Sequence, residues 1–220
     1  KLNQIRQKTN FVITTGRSPY NVAQIIKRLH LDETDCYVIC SLGSIIMSGG
    51  GKKIFEKTLR KDKVEVLLSE FCEEEKQYIY FGTDKRNVYL KELNCIDELF
   101  EKYKVYKVVY LPEDKIKNEK VFSKYVKENF NFYNMVDYLE FSDIECSKAK
   151  AIDKMLNMFY LTKKNAIAFG DSSNDIEMLC CVELGIAVCN ASWDIKNKAR
   201  FIADSNNDDG VAKALNHIFN

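Results

Sequence analysis

Ala166-Ile167-Ala168-Phe169-Gly170-Asp171-Ser172-Ser173-Asn174-Asp175-Ile176-Glu177-Met178-Leu179 is the stretch on which the fold of this chain turns. Its four apolar residues, Ala166 to Phe169, are bounded by Asn165 and Gly170 and have the continuous apolar character of a parallel strand covered on both faces. Asp171 then stands at the carboxyl end of that strand, where open α/β sheets place their ligands. Asp175 follows four residues on, about one turn if Ser172 or Ser173 caps the next helix, so both carboxylates can face one point. Two converging acids suit a hard divalent cation, magnesium first among them. The alternative is a strand, an Asx-type turn and a helix with solvated acids, and spacing alone leaves both open.

The totals narrow the class. A length of 220 residues suits one large domain or two small ones, either able to bury a core. The 33 basic and 32 acidic side chains are mixed along the chain and leave a net charge of +1, so no polyanion-binding arm and no nucleic-acid partner are expected. Apolar runs such as Val108 to Leu111 fall far short of the roughly 20 residues that span a bilayer, and Lys1 to Asn10 is polar. No membrane partner and a cytoplasmic location are therefore expected. The eight cysteines form no C-x-x-C pair, and most lie inside apolar segments, which predicts reduced thiols packed as small hydrophobes. His30 and His217 sit near the ends of predicted helices, where histidine complements the dipole.

Working outward, Lys1 to Lys8 resembles a helix end, and Phe11 to Thr14 reads as a short strand. Thr15-Gly16-Arg17-Ser18-Pro19 follows, with Ser18 suited to an N-cap and Pro19 to the first helical position. Val22, Ile25, Ile26 and Leu29 then repeat at helical spacing. Tyr37 to Cys40 is a second strand, and Gly49-Gly50-Gly51 reads as a hairpin turn between two more. From Lys57 to Glu140, helical segments alternate with short aromatic or β-branched runs, which predicts a separate α+β layer inserted into the first domain. Leu139 to Ile144 is read as an edge strand, Lys148 opens a helix, and Gly185 to Val188, Phe201 to Ala203 and Val211 to Phe219 continue the alternation. The fold expected is α/β, a doubly wound parallel-sheet core of residues 1–56 and 141–220 with an inserted α+β cap of residues 57–140.

Three polar stations fall where elements of the parallel domain begin or end: Thr15-Gly16, Lys148, and Asp171 with Asp175. A hydroxyl and backbone N–H groups can hold phosphate oxygens. A lysine supplies a compact positive charge. Acids can hold the magnesium that offsets phosphate charge as the transition state forms.

These residues carry a resemblance. Thr14-Thr15-Gly16-Arg17, then Glu140 through Ser147-Lys148-Ala149-Lys150-Ala151, then Gly170 to Leu179, then Asn190-Ala191 and Asp209-Gly210-Val211-Ala212 together resemble the haloacid dehalogenase-like (HAD) hydrolases, and more narrowly the Cof-type, subfamily IIB phosphatases. The resemblance implies a Rossmann-like HAD core with a cap, and a magnesium-dependent phosphatase acting on small phosphorylated metabolites such as sugar phosphates. It implies that Thr15, with Gly16, binds phosphoryl oxygens. It further implies that Lys148 stabilises the attacking carboxylate and the phosphoryl group, that Asn174 orients the site, and that Asp171 ligates magnesium with Asp175 in support. The reaction it implies is attack by an aspartate on a phosphate monoester, giving an aspartyl-phosphate that water hydrolyses, with a second acid protonating the leaving alcohol.

The nucleophile that the resemblance implies ends a strand before the helix preceding Thr-Gly-Arg, in an Asp-x-Asp motif, and no Asp-x-Asp occurs in this sequence. The reading expects that an amino-terminal piece of roughly 20 to 30 residues is lacking, and that the chain without it is inactive. At Ser41-Leu42-Gly43-Ser44 the resemblance implies Asn-Gly-Ala, and Leu42 replaces the amide. The competing reading is a non-catalytic binding or regulatory protein that has lost its first motif. A nucleotide-binding Rossmann domain is disfavoured because no G-x-G-x-x-G follows a strand. The particular substrate and the oligomeric state are not readable from the sequence.

Overall fold

A computed structural model describes residues 9–31, 36–113, 121–135 and 137–219. The helix end expected at Lys1 to Lys8 lies outside them. The chain forms two compact units, one of Val12–Ser147 and the other holding Lys148 and the residues that follow it.

In the first unit, β1 (Phe11–Thr14), α1 (Pro19–Arg28), β2 (Cys36–Cys40), β3 (Ile45–Ser48) and β4 (Lys53–Glu56) follow in order, and the strands form one sheet in the order β1-β2-β3-β4. Ser18 is the N-cap residue of α1 and Pro19 opens it, as the sequence predicts, while Val22 and Ile26 are buried. β2 and β3 pair in an antiparallel hairpin, as do β3 and β4. The turn between β2 and β3 places Ser41, Leu42 and Gly43 at φ of 49°, 58° and 90°. Left-handed backbone costs a residue bearing a Cβ about 1–2 kcal/mol. Full burial of Leu42 offsets its share. The leucine is thus a core side chain and offers no polar group outward.

The unit continues through α2 (Lys61–Ser69), α3 (Glu73–Lys76), β5 (Ile79–Thr83), β6 (Asn87–Tyr89), α4 (Ile96–Lys102), β7 (Val105–Tyr110), α5 (Lys124–Asn129), β8 (Phe130–Asn134) and β9 (Leu139–Asp143). The five strands form a second sheet, ordered β6-β5-β7-β9-β8, with antiparallel neighbours. On one face Phe81, Val108 and Phe141 pack with Val64 and Leu67 of α2, Leu99 of α4 and Val126 of α5. This overturns the edge assignment for Leu139 to Ile144, because β9 pairs with β7 on one side and β8 on the other, and all five of its residues are buried. Its alternation of apolar Leu139 and Phe141 with polar Glu140 and Ser142 looks like a half-solvated edge. The polar residues are buried because Glu140 meets Lys107 of β7, a partner no local pattern names. A division at residues 140 and 141 runs through this strand.

The second unit consists of α6 (Lys148–Met158), β10 (Ile167–Gly170), α7 (Ile176–Cys181), β11 (Leu184–Val188), α8 (Trp193–Lys196), β12 (Phe201–Ala203) and α9 (Gly210–Phe219). β10, β11 and β12 pair in parallel, with Gly170 opposite Ala187 and Val188 opposite Ala203. Ala168, Ala187 and Val188 pack with Met178, Leu179 and Ile195 in one cluster, and Ile186 and Ala203 pack with Ala214 in another. The middle strand β11 is covered on both faces, which is why it reads as a continuous apolar run. The cover expected on both faces of the strand at 166–169 is incomplete, since Ile167 of β10 is exposed, as are Phe201 and Ile202 of β12. All eight cysteines are free thiols. No helix among the described residues is long and apolar enough to cross a membrane.

Candidate active site

β10 ends at Gly170 because Asp175 folds back over it: a Cβ at position 170 would lie 2.6 Å from the Asp175 Cβ. The backbone N–H groups of Asp171 and Ser172 donate to Asp175 Oδ2, each at 3.1 Å, and the Ser172 hydroxyl donates to the same oxygen at 3.1 Å. Ser172 is therefore the capping residue of the turn Ser173–Asp175 that leads into α7.

The other Asp175 oxygen faces Lys148, the first residue of α6. Lys148 Nζ donates to Asp175 Oδ1 and to Asn174 Oδ1, both at 2.6 Å. Lys148, Asn174 and Asp175 are each at least nine-tenths buried. An ammonium carries three donors, so one N–H of Lys148 remains beyond these two. Buried charges persist only when paired and hydrogen-bonded, and here both members are.

Asp171 differs from its neighbour. Its side chain is exposed and has no side-chain hydrogen-bond or ion-pair partner among the described residues. Desolvation at the strand end, then the negative charge of Asp175, raise its carboxyl above the usual range against the pull of Lys148. Among the described residues no group of three or more His, Cys, Asp or Glu side chains is placed to hold a metal ion. What the loop does offer is one unpaired hard oxygen ligand with a second carboxylate behind it, and that donor chemistry fits magnesium, which keeps several waters and takes one or two carboxylates.

Thr15 and Gly16 belong to the other compact unit. The Thr15 N–H donates to Ile39 O at 2.9 Å, tying the end of β1 to β2. Thr15 Oγ1 accepts the Arg17 N–H at 3.2 Å, which leaves its own proton to donate. Thr15 thus presents a hydroxyl donor at a strand end, beside the Gly16 amide.

A family model described as haloacid dehalogenase-like hydrolase matches residues 2–215. The chain belongs to the haloacid dehalogenase-like hydrolases. It is 27% identical over 209 residues to the 5-amino-6-(5-phospho-D-ribitylamino)uracil phosphatase YcsE of Bacillus subtilis, covering 94% of this chain and 80% of that one. It is 24% identical to the phosphatase YwpJ of the same organism, over 97% of this chain and 89% of that one. Among solved structures, an HAD-like hydrolase from B. subtilis superposes with a TM-score of 0.82 at 21% identity, covering 99% of this chain and 91% of that one. An HAD subclass IIB sugar phosphatase gives a TM-score of 0.76 at 19% identity, with 98% and 88% covered. The HAD-like, Cof-type phosphatase family and the α/β HAD fold expected from the sequence are borne out.

Of the residues singled out from the sequence, Lys148, Asn174, Asp175 and Asp171 meet in the second unit, whereas Thr15 and Gly16 stand together in the first. Sequence reasoning missed Ser172 as a donor to Asp175, and it missed the ion pair that takes up the other Asp175 oxygen. The signal was present, since Ser172-Ser173-Asn174-Asp175 is a serine followed three residues later by an acid, the pattern of a capping box whose acid turns back toward its own loop.

Proposed function

We propose that the intact protein is a cytoplasmic, magnesium-dependent phosphatase that hydrolyses small phosphate monoesters, sugar phosphates or similar metabolites, through an aspartyl-phosphate intermediate. The observation that carries this reading is the buried Lys148–Asn174–Asp175 network beside the unpaired Asp171 carboxylate at the end of a parallel strand. The phosphatase names of the relatives support it.

In this reading Thr15 Oγ1 and the Gly16 N–H hold phosphoryl oxygens, and Lys148 gives its remaining N–H to the transferring group. Asn174 and Asp175 fix the Lys148 ammonium, so no reorganisation is needed as charge develops. Asp171 would be the magnesium ligand, with Asp175 supporting the loop that presents it. Bound magnesium would offset phosphate charge. The chemistry is a double displacement: a carboxylate oxygen bonds to phosphorus as the ester oxygen departs and is protonated, and water then displaces the carboxylate to give inorganic phosphate. No Asp-x-Asp occurs in the sequence, so the attacking carboxylate is assigned to no residue of this chain. Residues 57–140 would act as the inserted cap domain of the core formed by residues 1–56 and 141–220.

The test is phosphate release from p-nitrophenyl phosphate by the complete gene product. Turnover should require magnesium, stop with EDTA and fall at least a hundredfold in Asp171→Ala. Unchanged turnover in that variant would overturn the assignment.

A further inference from the structure

β12 closes one side of the second unit's sheet: among the described residues it pairs with β11 and has no strand beyond it. Sheet edges are ordinarily blunted by lysine, proline, a bulge or a covering helix. The edge here is Phe201-Ile202-Ala203, apolar throughout, with Phe201 52% and Ile202 48% exposed. β10, on the other side of the sheet, exposes Ile167 alone and carries no charge.

A groove of about 360 Å³ runs beside the β12 edge, lined by Phe201 and Ala203 of the strand and by Lys213, Ala214 and His217 of α9. Residues two apart in a strand share a face, so Phe201 projects on the same side as Ala203, which packs with Ala214. The groove has room for one more aromatic ring, the side chain that gains most from such cover. Ala203 itself is 3% exposed, so a backbone ladder along this edge would be short, and side chains determine what fits.

The charges that flank the strand name the occupant. Arg200 stands two residues before Ile202, and Asp204 two residues after it. A second copy laid antiparallel about a two-fold axis at Ile202 brings each Arg200 opposite the other copy's Asp204, each Phe201 opposite Ala203, and Ile202 opposite itself. Arg200 already pairs with Glu183, and Asp204 with Lys213, all four side chains being more than half exposed. Contact across the axis therefore joins two existing pairs into a row of alternating sign, Glu183, Arg200, Asp204, Lys213, with no like charges opposed.

We propose that β12 is a homodimer edge, on which a second copy of this chain docks antiparallel. Phe201 of each copy enters the groove over the other's Ala203, and the two Arg200–Asp204 pairs set the register. Interfacial charges of this kind contribute specificity more than strength. A three-residue strand with its flanks makes a small contact, so the dimer is weak and reversible.

Sedimentation equilibrium of the complete gene product over about 1–200 µM should show the average mass rising from one chain toward two. Ile202→Lys sets two ammonium groups face to face and should weaken association by about tenfold or more. Arg200→Glu and Asp204→Arg each oppose like charges and should do the same. An equimolar mixture of those two variants should associate again, because both pairs across the axis then unite opposite charges. Circular dichroism checks that each variant folds; if either charge variant does not, Ile202→Lys, at a half-exposed position, decides. A parent that stays monomeric throughout, a dimer that survives Ile202→Lys, or a mixture of folded charge variants that associates no better than its components overturns the proposal.

Discussion

Replacing Asp175 by asparagine should cost the protein far more than the loss of one ion pair suggests. The carboxylate accepts Lys148 on one oxygen and three donors, the Asp171 and Ser172 N–H groups and the Ser172 hydroxyl, on the other. An amide has one acceptor oxygen, so whichever way it turns, its NH2 group faces donors. The side chains of Lys148 and Asp175 are each only 6% exposed, so the ammonium left behind cannot be rescued by water. An exposed pair would contribute about 0–1 kcal/mol, whereas removing one partner of a buried pair costs about 3–5 kcal/mol. For a chain of this size that corresponds to a Tm lower by about 6–20 °C. The assay is thermal and urea unfolding by circular dichroism on four proteins: the parent, Asp175→Asn, Lys148→Met and the double variant. Once Lys148→Met has removed the buried charge, Asp175→Asn should cost less, with a coupling of at least about 1.5 kcal/mol. Additive effects, or a loss below about 1 kcal/mol in Asp175→Asn, would refute a buried, committed pair.

Two further outcomes follow from particular residues. α6 ends in a Schellman turn, with Tyr160 N–H on Asn157 O and Leu161 N–H on Leu156 O, and Tyr160 holds the left-handed position at φ 56° while 97% exposed. Tyr160→Gly removes that strain and no packing, so unfolding should show a gain of about 1 kcal/mol. At Glu56, burial would raise the carboxyl, but hydrogen bonds from Lys104, Lys53 and Tyr106 outweigh it and hold it at about 2. A carboxyl depressed on folding stabilises the folded state above its unfolded value, and the contribution is lost as pH falls. The stability difference between the parent and Glu56→Gln should therefore be full above about pH 4.5 and shrink toward pH 2, and a difference independent of pH across that window would count against the network.

The strand–loop–helix units were legible because their signals are local. Ala166 to Gly170 announces a strand, Ser18-Pro19 a helix start, and the glycine triplet a hairpin, and each is decided by sterics within a few residues, although Ile167 stays exposed where cover on both faces was expected. The candidate site was legible to the same depth: Thr15, Lys148, Asp171 and Asp175 each stand at an element's end. The misassignment of β9 shows the limit. Leu139 to Asp143 alternates as an edge strand does, and alternation reports which side of a residue is apolar without naming what covers the polar side.

By itself, then, the sequence determined the order of elements, the family and the residue types of the site, since these depend on composition and spacing along the chain. Only the tertiary structure decided that Glu140 is buried against Lys107, and that Asp175 is bound by its own loop and by Lys148 while Asp171 stays unpaired. The physical reason is that ion-pair partners and sheet neighbours are chosen by distance in space. Lys148 and Asp175 lie 27 positions apart, and Lys107 and Glu140 lie 33 apart, so no periodicity could have matched either pair before the chain had folded.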